Sequence, residues 1–544
     1  MTYFDLGAYS RPVSNNAQAQ IWCDRGMVWL FGYNHEEAII CFEKAVLEDP
    51  TCALAYWGIA YAIGPNYNKP WEVFDPEEKA PALEKAHKAL RDGIALEQSD
   101  TVAKALLDAL ASRYPTDPEI EDFQPFNNGF AEAMAPVYAA HTDDLDIACI
   151  YAEALMNRTP WQLWDFRKGV PNPEASTQKA MAVLERAFEQ TPGAWDHPGL
   201  LHMYVHLMEM SPYPERALPH GDRLFGLAPE AGHLVHMATH IVVLCGDYHN
   251  VLIRNLAAAE VDKAYKAHAG AENFYALYRI HNLHFALYGA MFLGHKGEAL
   301  RAAQRLREEV PDDVVRVYPD LFETFVAALP HAYIRFGMWS EILDLDLPED
   351  KELYTTTNAL ILYARAIALA NLGRHDEAQS AAKDFDEAYA VVPEERMLFQ
   401  NKARDVLEIA EQMMLGEVAF KSGKHDEGLQ HLRKAVMLDD GLMYEEPWSW
   451  PQPARHALGA LLMESENFEE AEKVFRADLG FDGKLPRPCQ NPRNVWSLHG
   501  LYECLQRRGE TTTEIVHVKQ QLDQALARAD IKITASCLCR SKAA

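Results

Sequence analysis

The stretch from Trp22 to Pro50, WCDRGMVWLFGYNHEEAIICFEKAVLEDP, decides the fold. Small and large apolar residues alternate along it at helical spacings, at Trp22, Gly26, Trp29, Ala38, Phe42, Ala45 and Pro50. Small residues let two helices approach closely, and large residues fill the space that remains between them. A single helix hairpin of this size cannot bury its outer faces, so the pattern predicts a stack of further copies.

Later parts of the chain repeat this alternation. The copies are marked by Leu54, Trp57, Gly58 and Tyr61, by Gly373 with Ala378, by Gly416 with Ala435, by Gly459 with Ala471 and Phe475, and by Trp496 with Gly500. The pattern resembles that of the tetratricopeptide-repeat (TPR) family. We therefore predict an all-α, right-handed TPR-type solenoid of antiparallel helix hairpins. It is expected to be a single continuous superhelix over residues 1–530, with insertions near 64–80 and 157–174 and a loose C-terminal tail at 531–544.

Composition limits the function classes. Of the 544 residues, 49% are apolar and 24% charged, which is typical of a globular protein with a core. The N-terminus lacks a basic segment followed by an apolar one, and no apolar run has the length of a bilayer span, so we expect neither a signal peptide nor a membrane partner. We do not expect nucleic acid as a partner, because the net charge of −29 would repel its phosphates. Nine cysteines, scattered apart from Cys537 and Cys539, favour a cytoplasmic location.

Histidines are concentrated in one part of the chain. Seven of the 22 lie between His197 and His240. The repeat register places His202 and His236 at the fifth position of successive repeats, and His206 and His240 at the ninth, because 236 − 202 and 240 − 206 both equal 34. His233 and Glu209 take positions two and twelve. These positions lie three or four residues apart, so they share one face of the first helix of a repeat.

Other repeats continue this face. His281, His284 and Tyr288 take positions two, five and nine of a later repeat, and Glu153 takes position nine of an earlier one. In the proteins that this chain resembles, the same face lines the concave groove where ligands bind. The resemblance therefore implies a groove lined by imidazoles and carboxylates.

Imidazoles four residues apart on a helix can give two ligands to one ion, and a histidine-rich set suits Zn, Fe, Cu or Mn. The predicted metal ligands are His202, His206, Glu209, His236, His240, His281 and His284. The candidate acid and base groups are Glu153, His233 and Tyr288. We expect one or two transition-metal ions, with Fe or Cu favoured over Zn or Mn because thiolates are absent from the set. The alternative is a polar groove whose histidines bind an acidic peptide or hydrogen-bond one another. His197, before Pro198, is predicted to cap a helix.

The segment from His197 to Tyr248 also resembles a narrower group of microbial TPR proteins. They share an H-P-G start, an H-x-x-x-H-x-x-E helix and an H-M-x-x-H-I segment. This resemblance implies the architecture and marks the same residues, but names no reaction. The leading functional prediction is a metal-dependent redox enzyme that acts on a small organic molecule. The alternatives are a non-catalytic TPR scaffold that binds a peptide or protein partner through the groove, and a Zn- or Mn-dependent hydrolase.

Overall fold

The computed structural model of the protein describes residues 3–96, 100–270 and 273–540. It is an all-α solenoid of the TPR type, built from helix hairpins, which confirms the predicted fold class. The chain divides into two compact units. Unit 1 comprises the described residues up to Ile241 together with Glu260–Arg279, and unit 2 comprises Val242–Ala259 together with the described residues from Ile280 onward. The expectation of one uninterrupted superhelix over residues 1–530 stays a prediction.

Unit 1 holds the first helices of the chain and a short β-hairpin. Its α-helices are α1 (Ala17–Phe31), α2 (His35–Glu48), α3 (Ala53–Ala62), α4 (Pro76–Ile94), α5 (Thr101–Leu110), α6 (Gln124–Ala140), α7 (Leu145–Met156), α8 (Thr177–Gln190), α9 (Pro198–Met208) and α10 (Leu218–Leu224). Strands β1 (Trp164–Asp165) and β2 (Val170–Pro171) pair antiparallel within the predicted 157–174 insertion. Three further helices have residues in both units: α11 (Gly232–Leu244), α12 (Tyr248–Ala269) and α13 (Ala276–Leu293).

The first hairpins of unit 1 pack as the sequence pattern predicts. The Phe42 ring of α2 is fully buried. A Cβ atom added to Gly26 of α1 would lie 2.7 Å from this ring, and one added to Gly58 of α3 would lie 2.6 Å from it. Real Cβ atoms do not approach a ring so closely, so glycine is required on both sides of Phe42. The alternation of small and large residues thus sets the spacing of three successive helices.

Unit 2 contains the later helices. They are α14 (Lys296–Glu309), α15 (Asp312–Val317), α16 (Pro319–Val326), α17 (Ala328–Arg335), α18 (Trp339–Leu343), α19 (Thr355–Asn371), α20 (His375–Ala390), α21 (Ala403–Lys421), α22 (His425–Asp439), α23 (Ala454–Glu464), α24 (Phe468–Asp478), α25 (Val495–Arg507) and α26 (Thr513–Leu526). Strands β3 (Met397–Leu398) and β4 (Asn401–Lys402) form a second short antiparallel hairpin.

Unit 2 repeats the same packing device. Phe475 of α24 is fully buried, and a Cβ atom on Gly459 of α23 or Gly500 of α25 would overlap its ring. The described part of the 531–544 tail is packed rather than loose, since Cys539 is buried and Arg540 forms an ion pair with Glu503 at 2.7 Å. Residues 541–544 lie outside the described part. None of the described helices has both the length and the apolar character that crossing a bilayer demands.

Candidate functional site

The start of α9 is fixed by its capping residue. The ring Nδ1 of His197 accepts a hydrogen bond from the backbone N–H of Leu200 at 3.1 Å, and Nε2 lies 3.0 Å from Asp146 Oδ1. Pro198 occupies the first helical position, where its missing N–H costs nothing. The predicted helix cap is confirmed. It begins a helix on which His202 and His206, four residues apart, point to the same side.

Both of these histidines are buried and each has one ring nitrogen held by an acceptor. His202 and His206 are 0% and 1% exposed. His202 Nδ1 lies 2.6 Å from the carbonyl oxygen of Phe31, and His206 Nδ1 lies 3.1 Å from Glu209 Oε1. Carbonyl and carboxylate oxygens can only accept, so each Nδ1 carries the proton and donates it. In the neutral rings, the lone pair of both histidines is therefore on Nε2.

Helix α11 contributes three more histidines of unit 1. Glu209 Oε2 accepts a hydrogen bond from His240 Nδ1 at 2.8 Å, and His240 Nε2 lies 2.7 Å from His236 Nε2. In neutral rings, His240 Nε2 is then the acceptor and His236 Nε2 the donor. Glu209 is fully buried. The result is a hydrogen-bonded chain that runs from His206 through Glu209 and His240 to His236.

His233 stands apart from this chain. Its backbone N–H donates to the Tyr275 hydroxyl at 2.9 Å, and its ring packs on that of Tyr278 with centroids 4.2 Å apart. Neither ring nitrogen of His233 has a hydrogen-bond partner among the described residues. One nitrogen each of His202, His206 and His233 lies within 4.8 Å of the other two. Within the same limit, a second group joins His206, Glu209 and His240.

Three aromatic residues enclose these rings. The Tyr33 ring centroid lies 4.6 Å from that of His202, and the Tyr67 centroid lies 5.0 Å from that of His206. The Trp161 ring centroid lies 6.0 Å from that of His206. Tyr67 and Trp161 come from the insertions near 64–80 and 157–174. Tyr33 comes from the turn between α1 and α2, where its φ is 55°. Sequence reasoning missed Tyr33 and Tyr67 as site residues.

Burial favours the neutral form of two imidazoles of this cluster, His202 and His233. Burial, followed by repulsion from neighbouring histidines, holds the pKa of His202 and of His233 well below the usual value. A buried neutral imidazole is a lone-pair donor and not a cationic site. At His202 and His233 this disfavours an acidic peptide, which was one of the alternatives left open by the sequence.

Glu153, a predicted acid or base, lies on α7 in unit 1 and interacts with Tyr33, one of the residues around the histidine rings. Its Oε2 accepts a hydrogen bond from the Tyr61 hydroxyl at 2.7 Å. Burial raises the pKa of Glu153, while the positive charge of Arg113 lowers it in part. The Arg113 guanidinium lies 4.7 Å from the centre of the Tyr61 ring. The assignment of Glu153 as an acid or base stays a prediction.

The remaining predicted site residues belong to unit 2. His284 and Tyr288 of α13 line a cavity of about 20 Å³ together with His331 of α17. Burial lowers the pKa of His284 to about 3 and that of His331 to about 4. His281 is half-buried, with its ring 5.0 Å from that of Phe285. Among the described residues of unit 2 taken alone, no three histidine, cysteine or carboxylate ligand atoms lie as close together as those in unit 1.

Unit 1 also contains an open cleft of about 460 Å³. Its lining comes from the start of α2, the segment after α3, helix α4 and the residues just before α13. The lining residues that bear on binding are Asn34, Glu36, Lys69, Phe74, Glu77, Glu78 and Phe274. Sequence analysis singled out the segment 64–80 only as an insertion that could cover the groove.

Comparisons with known proteins identify the fold and no close relative. No protein-family profile matches the sequence, and no curated protein does. The chain is similar to human IFIT1 in a dimer with m7Gppp-AAAA, at 12% identity over 91% of this chain and 95% of that one, with a TM-score of 0.31. It is also similar to yeast Tom70, at 10% identity over 93% of each chain, with a TM-score of 0.29. A third is the TPR domain of P58(IPK), at 12% identity over 95% of this chain and all of that one, with a TM-score of 0.21. At these identities the likeness concerns the fold alone.

These comparisons contradict the leading functional prediction. The IFIT1 structure is a complex with m7Gppp-AAAA, and the P58(IPK) structure is a TPR domain. A further match is the Cut9–Hcn1 hetero-tetramer. None of these is described as a metalloenzyme. The prediction of a metal-dependent redox enzyme is therefore wrong. The expected small-molecule substrate has no support either.

Proposed function

We propose that the protein is a non-catalytic TPR scaffold that binds an extended segment of a partner protein in the cleft of unit 1. This proposal rests on the difference in solvent exposure between two parts of unit 1. The cleft is open and has a volume of about 460 Å³, whereas His202 and His206 are 0% and 1% exposed. A partner segment can enter the cleft, whereas these two histidine side chains are covered by the protein.

Asn34 supplies a hydrogen-bond donor for a peptide backbone. Its Oδ1 accepts from the backbone N–H of Glu37 at 3.2 Å and from the Tyr265 hydroxyl at 3.3 Å, which fixes the orientation of the amide. The buried Nδ2 has no hydrogen-bond partner among the described residues. A buried amide without a partner is costly, so a carbonyl oxygen of a bound segment would stabilise it.

Aromatic and charged groups of the cleft determine which kind of partner segment it would bind. Lys69 Nζ lies 4.5 Å from the Phe74 ring centre and 4.7 Å from that of Phe274. Its charge is balanced by Glu78, with Nζ 3.1 Å from Oε2. Glu36 and Glu77 are exposed carboxylates of the same lining, and the whole chain carries a net charge of −29. These features favour a segment with an apolar side chain next to a lysine or arginine.

An immobilised array of peptides with varied sequences tests this proposal. Peptides that combine an apolar and a basic residue should be enriched, and the best of them is then titrated in solution. The Phe274→Ala variant removes an apolar wall, and Asn34→Asp keeps the capping oxygen of α2 while removing the amide donor. Each should weaken binding by about tenfold, or about 1.4 kcal/mol.

Tyr318→Ala is the matched control, because Tyr318 is an exposed aromatic residue outside the cleft, in unit 2. It should bind the peptide as the wild type does. The proposal fails if no peptide is enriched, or if the selected peptide binds both cleft variants as tightly as the wild type.

A further inference from the structure

We infer that His202, His206 and His233 form a binding site for one divalent transition-metal ion, which links α9 to α11 within unit 1. The ion has no part in turnover. This site goes beyond the proposed scaffold function and does not depend on it. Zinc is the probe with which the site is defined below, since neutral imidazole is a ligand that Zn²⁺ accepts readily.

The hydrogen bonds of His202 and His206 place the lone pair of each neutral ring on the nitrogen that would bind a metal. A metal-binding histidine usually donates its other N–H to a carbonyl or carboxylate, which fixes the ring and makes the ligand nitrogen more basic. His202 has this arrangement with the Phe31 carbonyl at 2.6 Å, and His206 has it with Glu209 at 3.1 Å. In both rings the acceptor holds Nδ1 and leaves the lone pair on Nε2.

A set of buried ring nitrogens also lacks a partner in the part of the chain that the structure describes. His202 Nε2 and both ring nitrogens of His233 have no hydrogen-bond partner among the described residues. His202 and His233 are 0% and 1% exposed, so bulk water does not satisfy them. Buried polar atoms nearly always have a partner, and a bound ion is one of the few explanations for several orphaned nitrogens in one place.

The three rings are also close enough to share an ion. One nitrogen each of His202, His206 and His233 lies within 4.8 Å of the other two. Tetrahedral coordination with bonds of about 2.0–2.1 Å requires nitrogens roughly 3.4 Å apart. The nitrogens must therefore approach one another by at most about 1.4 Å to bind one ion. Tyr33, with its ring 4.6 Å from that of His202, covers the site.

The neighbouring group of His206, Glu209 and His240 serves the site differently. Its members already contact each other through hydrogen bonds of 3.1 Å and 2.8 Å, with a proton between each pair of atoms. An ion there would have to displace both protons. Glu209 instead orients His206, and its negative charge partly offsets that of an ion bound at Nε2.

Zinc content measured on untagged protein tests the site. The chain is refolded with excess Zn²⁺, dialysed, and analysed by mass spectrometry for metal. The wild type should retain about one zinc ion per chain, and His233→Leu should retain at least tenfold less. His220→Leu is the matched control, because His220 is a buried histidine of unit 1 outside the cluster, and it should retain the wild-type amount. A wild type without zinc, or a His233→Leu variant with the full amount, overturns the inference.

A ligand exchange keeps the test decisive if His233→Leu does not fold. His233→Cys replaces one candidate ligand by a thiolate, which still binds Co²⁺ and adds an intense thiolate-to-cobalt absorption in the near ultraviolet. His220→Cys should lack that absorption. If the cobalt-loaded His233→Cys protein shows no such band, His233 is not a ligand and the inference fails, whatever peptides the cleft binds.

Discussion

Helices α9 and α13 carry polar side chains at the same repeat positions in the two units. In unit 1, His206 of α9 takes the ninth position, and Glu209, directly after the helix, takes the twelfth. The Glu209 carboxylate accepts hydrogen bonds from His206 and His240. In unit 2, the ninth and twelfth positions of α13 are Tyr288 and Met291. There the fifth-position His284 lines a cavity of about 20 Å³ together with Tyr288 and Met291.

This difference shows what the repeat fixes and what it leaves to individual residues. The register decides that positions five, nine and twelve face the same side of a helix. It does not decide whether an imidazole there meets an acceptor. Glu209 gives His206 and His240 a common acceptor, whereas Met291 offers His284 none. His206 is thus held in one ring state, whereas Nδ1 of His284 has no hydrogen-bond partner among the described residues.

Removal of Glu209 should have the largest effect. Glu209→Leu leaves the Nδ1–H groups of His206 and His240 buried without their acceptor, so the free energy of unfolding should fall by roughly 3–5 kcal/mol. Urea unfolding of the metal-free protein measures it. The matched control is Met291→Leu at the same repeat position in unit 2, which should cost less than about 1.5 kcal/mol. Equal losses in the two variants would show that Glu209 does not organise the histidines.

Substitution of the fifth-position histidines compares the two units directly. His202→Leu leaves the Phe31 carbonyl without its donor and should lower the free energy of unfolding of the metal-free protein by roughly 1–3 kcal/mol. His284 Nδ1 has no hydrogen-bond partner among the described residues, so His284→Leu should change stability by less than about 1 kcal/mol or increase it. A larger loss of unfolding free energy in His284→Leu than in His202→Leu would contradict this comparison.

The pH dependence of stability should reveal the buried histidines of unit 2. Burial lowers the pKa of His284 to about 3 and of His331 to about 4, while both rings titrate near 6.5 when unfolded. As pH falls below about 6.5, the unfolded chain binds protons that the folded chain does not, so stability falls with pH until the folded pKa is reached. Each histidine contributes a slope of about 1.4 kcal/mol per pH unit.

His284→Leu should therefore reduce the slope between roughly pH 6 and pH 4 by about 1.4 kcal/mol per unit, and the double variant His284→Leu/His331→Leu by about twice that. Urea unfolding at a series of pH values provides the measurement. An unchanged slope in both variants would mean that these rings are not buried in the neutral state.

The packing of the repeats could be predicted because it depends on local spacing. Gly26, Phe42 and Gly58 lie at fixed intervals, and the contact between a small residue and a ring follows from them. The aromatic enclosure of the histidines could not be predicted in the same way. Tyr67 and Trp161 lie in insertions without a period, and chain order alone does not place them against His206.

The contacts of the individual histidine rings could not be predicted from the sequence either. The register places His236 and His240 on one face with His202 and His206, and all four are among the predicted metal ligands. In the structure, His236 and His240 contact each other at 2.7 Å, and it is His233 that lies with His202 and His206. Side-chain rotation, which the repeat does not encode, makes this choice. The enzyme prediction failed because many imidazoles on one face were interpreted as an open site, whereas the structure buries them.

Anomalous X-ray diffraction at the zinc edge from crystals of the zinc-loaded protein tests the central claim most directly, namely that unit 1 and not unit 2 holds an ion. The account predicts one peak bounded by nitrogens of His202, His206 and His233 at roughly 2.0–2.1 Å, and no peak at His284 or His331. A peak at His284, a peak bounded by Glu209 and His240, or no peak between α9 and α11 would contradict it.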